Sequence, residues 1–96
     1  MSEAVKFNWP PVRFARENTP GGQLAHVLSE ALEVSEALDN PSKSAADVEE
    51  ELADLHHSIE TYWRILQAFH GSDHVAAIMA RVEVKNRVRG YYETVA

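Results

Sequence analysis

Cysteine is absent from this chain, which excludes disulfides and thiolate metal sites, and nothing in the composition asks for an oxidising compartment. Basic residues are few. Nine Lys and Arg against 15 Asp and Glu leave a net charge of −6, which repels polyanions and argues against a nucleic-acid polymer as partner. A small anionic ligand bridged by a metal is still compatible with that charge. No apolar run approaches the roughly 20 residues of a membrane span, and the opening MSEAVKFNWPP lacks the basic-then-apolar pattern of a signal peptide. The expectation is a cytoplasmic protein with no membrane partner. The alternation of a β-strand, internal repeats and low-complexity stretches are missing too, which leaves an all-α reading.

Proline is scarce and segregated: Pro10, Pro11 and Pro20 all fall within residues 1–22, which end in Pro20-Gly21-Gly22. That composition opposes regular helix beyond a turn or two near Val12 to Glu17, so the segment reads as an ordered arm. Its Phe7, Trp9 and Phe14 are expected to pack on the body. From Gln23 to Leu38 the residues Leu24, Val27, Leu28, Ala31, Val34 and Leu38 recur at three- and four-residue steps, the mark of an amphipathic helix that Asp39-Asn40-Pro41 stops. Ser44 and Asp47 then look like an N-cap with a first-turn acid. They open a long helix carrying Val48, Leu52, Leu55, Ile59, Tyr62, Leu66 and Phe69 on one stripe. Gly71 ends it, and a third helix holds Val75, Ile78, Val82 and Val88 on the way to Gly90. The reading is one domain, 1–96, with an arm (1–22) and main helices over 23–38, 44–69 and 73–89.

A domain of 96 residues buries only roughly 60–65 % of its unfolded surface. Two shorter helices flanking a long one make an incomplete bundle, so a homodimer or homotetramer is expected to complete the core.

The long helix and the one before it each carry a carboxylate pair at i, i+3: Glu30 with Glu33, and Glu51 with Asp54. Residues three apart lie about 60° from each other around a helix and can reach one ion together. Glu30 and Glu33 fall roughly 110–170° from the centre of the apolar stripe, and Glu51 and Asp54 about 60° and 120° from theirs, so neither pair points into the main core. Alone, each pair reads as a solvated acidic face. Two pairs on sequential antiparallel helices would repel if they met, and a divalent cation relieves that repulsion. Hard oxygen donors without cysteine select Mg2+, with Mn2+ the alternative, over zinc.

The histidines point less clearly to metal. Asp54-Leu55-His56-His57 contains an Asp-x-x-His that echoes half of a di-iron site, but such bundles use the motif twice and His26-x-x-x-Glu30 has the wrong order. His26, His56 and His57 therefore read as packed or surface residues.

SEALEVSEAL (Ser29 to Leu38), EELAD (Glu50 to Asp54) and KNRVRGYY (Lys85 to Tyr92), with 17 residues between Glu33 and Glu51, together resemble the MazG-like all-α nucleoside triphosphate pyrophosphohydrolases. Those proteins carry E-E-x-x-E, a spacer and E-x-x-D, and many small members end near Asn-Arg-x-Arg-Gly-Tyr. The resemblance spans about residues 19–92. It implies a helical bundle of the all-α NTP pyrophosphatase type, and Mg2+-dependent cleavage of a nucleoside triphosphate to monophosphate and pyrophosphate. Glu30, Glu33, Glu51 and Asp54 become the metal ligands, and Glu33 and Glu51 the catalytic carboxylates. Lys85, Asn86, Arg87 and Arg89 become substrate-binding residues. Glu36 rivals Glu30 if the first motif slides by three residues. Two positions depart from the pattern: Ser29 stands at the first Glu, and Val82 where a lysine commonly sits, with Arg81 or Lys85 the substitutes. A non-catalytic helical module of the same fold is the alternative function.

Overall fold

A computed structural model describes residues 5–93, and among them every regular element is helical. A short 3-10 turn, Arg13–Arg16, precedes three helices: α1 (Pro20–Asp39), α2 (Ala45–His70) and α3 (Ser72–Val88). No helix among the described residues is long and apolar enough to cross a membrane.

Helix α1 begins at Pro20, before the Gln23 that apolar periodicity marks as its start, and the reason is capping. The Thr19 hydroxyl accepts the Gly22 N–H at 3.0 Å, and proline at the first helical position gives up a donor that has no partner there anyway. A Cβ on Gly22 would stand 2.5 Å from Asn18 Oδ1, so a side chain there would have to displace the Asn18 amide from this cap. At the other end, the Asn40 side chain accepts from both the amide and the hydroxyl of Ser42 and shapes the turn into α2. There Ser44 and Asp47 form a reciprocal capping box: Asp47 N–H donates to Ser44 Oγ, and Ser44 N–H to Asp47 Oδ2. The Ser44 backbone N–H and hydroxyl hold the Asp47 carboxyl below its ordinary pKa. Gly71, at φ 91°, makes the sharp break between α2 and α3 that a residue with a Cβ would resist.

Helices α1 and α2 form an antiparallel hairpin, and α3 packs on α2 alone. The rotation of α1 differs from the one its leucines suggest. It turns Gln23, Val34 and Ala37 toward α2, and leaves Leu24, Leu28 and Leu38 exposed. Gln23 decides this. It is fully buried and satisfied at both ends, donating to the Ser58 carbonyl at 3.0 Å and accepting from Asn18 Nδ2 at 3.0 Å. In α2 the buried residues are Ser58, Glu60, Thr61, Ile65 and Leu66, while Leu52 and Phe69 of the expected stripe are more than half exposed. Only the first part of α3 is covered: Val75 is fully buried, yet Val82 and Val88 are exposed.

The N-terminal arm is strapped to the middle of α2. The buried Glu60 carboxylate accepts the backbone N–H of Asn8 (2.8 and 3.1 Å) and of Trp9 (2.9 Å). Arg64 donates to the Trp9 carbonyl at 2.7 Å and lies 4.3 Å from the centre of the Phe7 ring. Trp9 stacks on His57 with ring centres 5.0 Å apart and donates its indole N–H to His56 Nδ1 at 3.1 Å. Phe7 and Trp9 thus pack as their sequence suggests, whereas Phe14 stays half exposed, edge-on to His26.

Candidate metal centre

The hairpin register brings the two carboxylate pairs together. With Gln23 tied to Ser58 near one end and a short turn closing the other, Glu30 comes opposite Asp54, and Glu33 comes opposite Glu51. One carboxylate oxygen from each of Glu30, Glu51 and Asp54 can be chosen so that all three lie within 4.8 Å of one another. Glu33 is adjacent, close enough for its carboxyl to act on that of Glu30. Beside this triad an open cleft of about 230 Å³ is lined by Glu33, Glu36, Ala37, Asn40, Lys43 and Glu51. The four sequence candidates are therefore neighbours across one interhelical seam, with Glu36 farther along the same cleft and outside the triad.

The electrostatics follow from that crowding. Burial pushes the Glu30 carboxyl above its ordinary pKa, and the Glu33 hydrogen bond, the Glu33 charge and the Asp54 charge push the same way. His26 opposes them, with Nε2 3.2 Å from Glu30 Oε1. A carboxyl whose charged form is disfavoured by burial and by acidic neighbours is one whose charged form a divalent cation would stabilise. Three oxygen donors within a few ångströms, open to a cleft, match the needs of magnesium, which keeps several waters and takes few protein carboxylates. The residues present fit such an ion.

Two contributors stand outside the residues that the sequence reading assigns to the site. Lys43 lies in the interhelical turn, where no periodicity reports its direction, and it supplies a cation at the mouth of the cleft. His26 has a usable signal, its i, i+4 spacing to Glu30, and it caps the site on the side where Phe14 arrives.

The basic residues of α3 lie elsewhere in the single chain. Arg87 pairs with Glu83 at 2.8 Å and sits 5.7 Å from the Tyr92 ring centre, both beside an open groove that Trp63 and Val82 also line. Lys85 borders a separate shallow depression with Arg81, while Asn86 and Arg89 line neither of these nor the acidic cleft. No α3 residue lines the acidic cleft.

These features define an all-α protein with an acidic interhelical centre, and the class can be stated no more finely by kinship. No family model, curated protein or solved structure matches the chain.

Proposed function

We propose that the chain hydrolyses a nucleoside triphosphate to the monophosphate and pyrophosphate with magnesium held by Glu30, Glu33, Glu51 and Asp54. The observation that carries the reading is the approach of Glu30, Glu51 and Asp54 oxygens to within 4.8 Å of one another across antiparallel helices. The reaction itself comes from the resemblance of Ser29–Leu38, Glu50–Asp54 and Lys85–Tyr92 to the MazG-like pyrophosphohydrolases. Magnesium bound there supplies charge neutralisation for the phosphate chain and raises the acidity of water. A water oxygen attacks the α-phosphorus and stays on the monophosphate, the bond from the α-phosphorus to the α–β bridging oxygen breaks, and pyrophosphate leaves with the bridging oxygen. Glu33, outside the tight triad and facing the cleft, is the carboxylate positioned to take the water's proton, and Glu51 holds the opposite wall. Lys43 at the cleft mouth offers a charge-assisted hydrogen bond to a phosphate oxygen.

The test is direct. The pure protein, with magnesium or manganese, is incubated with a panel of canonical and modified nucleoside triphosphates, and the products are separated. Monophosphate and pyrophosphate from at least one member are expected; no turnover of any member sinks the reading.

One observation favours a second reading, a non-catalytic helical module. The α3 bases lie away from the cleft, and Ser29 and Val82 depart from the family pattern. Titration calorimetry separates the two: magnesium binding that disappears in Glu51→Gln/Asp54→Asn supports a working centre, and no heat even with nucleotide present supports the module.

A further inference from the structure

His70 and His74 meet where α2 gives way to α3. His70 is the last residue of α2, His74 stands in the first turn of α3, and their ring centres lie 4.8 Å apart. Gly71 makes the approach possible, since its φ of 91° breaks the helix between them. Val75, fully buried beside His74 in sequence, anchors that first turn, so the fold sets the spacing of the two rings. Both histidines are exposed.

Ring packing does not account for the contact. The two planes meet at 39°, away from both the offset-stacked and the edge-on arrangements that aromatic rings prefer. A shared metal ion does account for it. An imidazole bound through either nitrogen at ~2.1 Å holds its ring centre ~3.2 Å from the metal. Two such rings at a bond angle of about 90° to about 110°, from square-planar to tetrahedral geometry, stand roughly 4.5–5.2 Å apart. The observed 4.8 Å falls inside that interval. The χ2 torsion of histidine is broad, so exposed rings turn their nitrogens toward a common point at little cost.

The surroundings suit a cation of this kind. The C-terminal end of α2 carries partial negative charge beside His70, while the N-terminal end of α3 carries the opposite charge, which Asp73 in its first turn counters. Imidazole nitrogen selects zinc, nickel or copper, whereas magnesium asks for oxygen. Roughly 24 Å of α2, at ~1.5 Å per residue, separates His70 from Asp54, so the pair is no part of the acidic centre.

We propose that His70 and His74 form a two-imidazole site for a divalent transition-metal ion such as zinc, which clips the start of α3 to the end of α2. Helix α3 packs on α2 alone and leaves Val82 and Val88 exposed, so a clip at this joint strengthens its hold where few other contacts do. The assignment stands whether or not the acidic centre binds magnesium.

Proton NMR of the full chain observes the imidazole C–H signals of its five histidines, and His70→Gln and His74→Gln assign two of them by their disappearance. Both positions are exposed, so neither substitution removes packing from the core. Zinc is added in steps with magnesium saturating throughout. The His70 and His74 signals are expected to move first and together, and the melting temperature of the unaltered chain to rise. Each single variant is expected to need about tenfold more zinc or higher for the same rise, since disturbing even the residues behind metal ligands costs about that much. Earlier movement of the His26, His56 or His57 signals overturns the proposal. So does the absence of any response to zinc, or a zinc affinity that neither substitution changes.

Discussion

Glu30 and Glu60 are both drawn out of solvent onto helix–helix or helix–arm contacts, yet their carboxyls move in opposite directions. Burial pushes both up. At Glu60 the backbone N–H groups of Trp9 and Asn8, with His56 beside them, outweigh burial and hold the group below its ordinary pKa. At Glu30 the neighbours are Glu33 and Asp54, which add to burial, and only His26 opposes. The first environment is complete: a charge, its donors and a packed indole. The second gathers more carboxylates than the nearby His26 and Lys43 offset, and that excess of negative charge distinguishes a place that can take a cation from one that fastens a strap.

The sharpest way to break the comparison is to remove ligands from the centre. Glu51→Gln/Asp54→Asn should lose roughly 100-fold or more in pyrophosphate release, since disturbing even the residues behind metal ligands costs roughly 10–100-fold. Steady-state assays at saturating magnesium measure it, and near-normal rates would detach the centre from the chemistry. On the other side, Glu60→Gln should destabilise the fold by about 2 kcal/mol, because the amide presents an N–H where backbone donors already point. Urea unfolding reads this, and a difference near zero would show that the arm contributes nothing to stability.

The pH dependence sharpens the contrast. A raised carboxyl makes the folded chain bind its proton more tightly than the unfolded chain does. The stabilisation from Glu30 is therefore complete below the ordinary glutamate range and is lost as pH rises through its raised pKa. Glu60 has the reverse sign, with stabilisation present above the ordinary range and lost as pH falls through its lowered pKa. Stability without metal should decline on both sides. Saturating magnesium should abolish the decline at higher pH and leave the acid one, as thermal melts across the range would report. The smallest expected effect is Glu30→Gln in metal-free protein, a gain of about 0.5 kcal/mol from relieving like-charge repulsion, together with loss of the extra stability that magnesium confers. A metal-free loss of stability would mean that Glu30 is already compensated.

Much of the local structure is legible in the residues. Ser44 and Asp47 announce the start of α2 because a capping box is a four-residue event. The i, i+3 carboxylates announce that each helix can offer two oxygens to one side, a consequence of helix pitch. The leucines of α1 mislead, because an apolar stripe says that something must cover it without saying what. In the single chain it is Gln23, held between Asn18 and the Ser58 carbonyl 35 residues away, that sets which edge of α1 meets α2. The Glu60 clasp is equally hidden, since its donors are backbone groups 52 and 51 residues distant with no side-chain signature.

The sequence by itself determined three helices, their caps and two pairs of carboxylates, because each depends on covalent geometry within a few residues. Only the tertiary structure decided that Glu30 meets Glu51 and Asp54 while Leu28 and Leu52 face outward. Those outcomes depend on how each helix is rotated about its own axis, and a few long-range polar contacts fix that rotation.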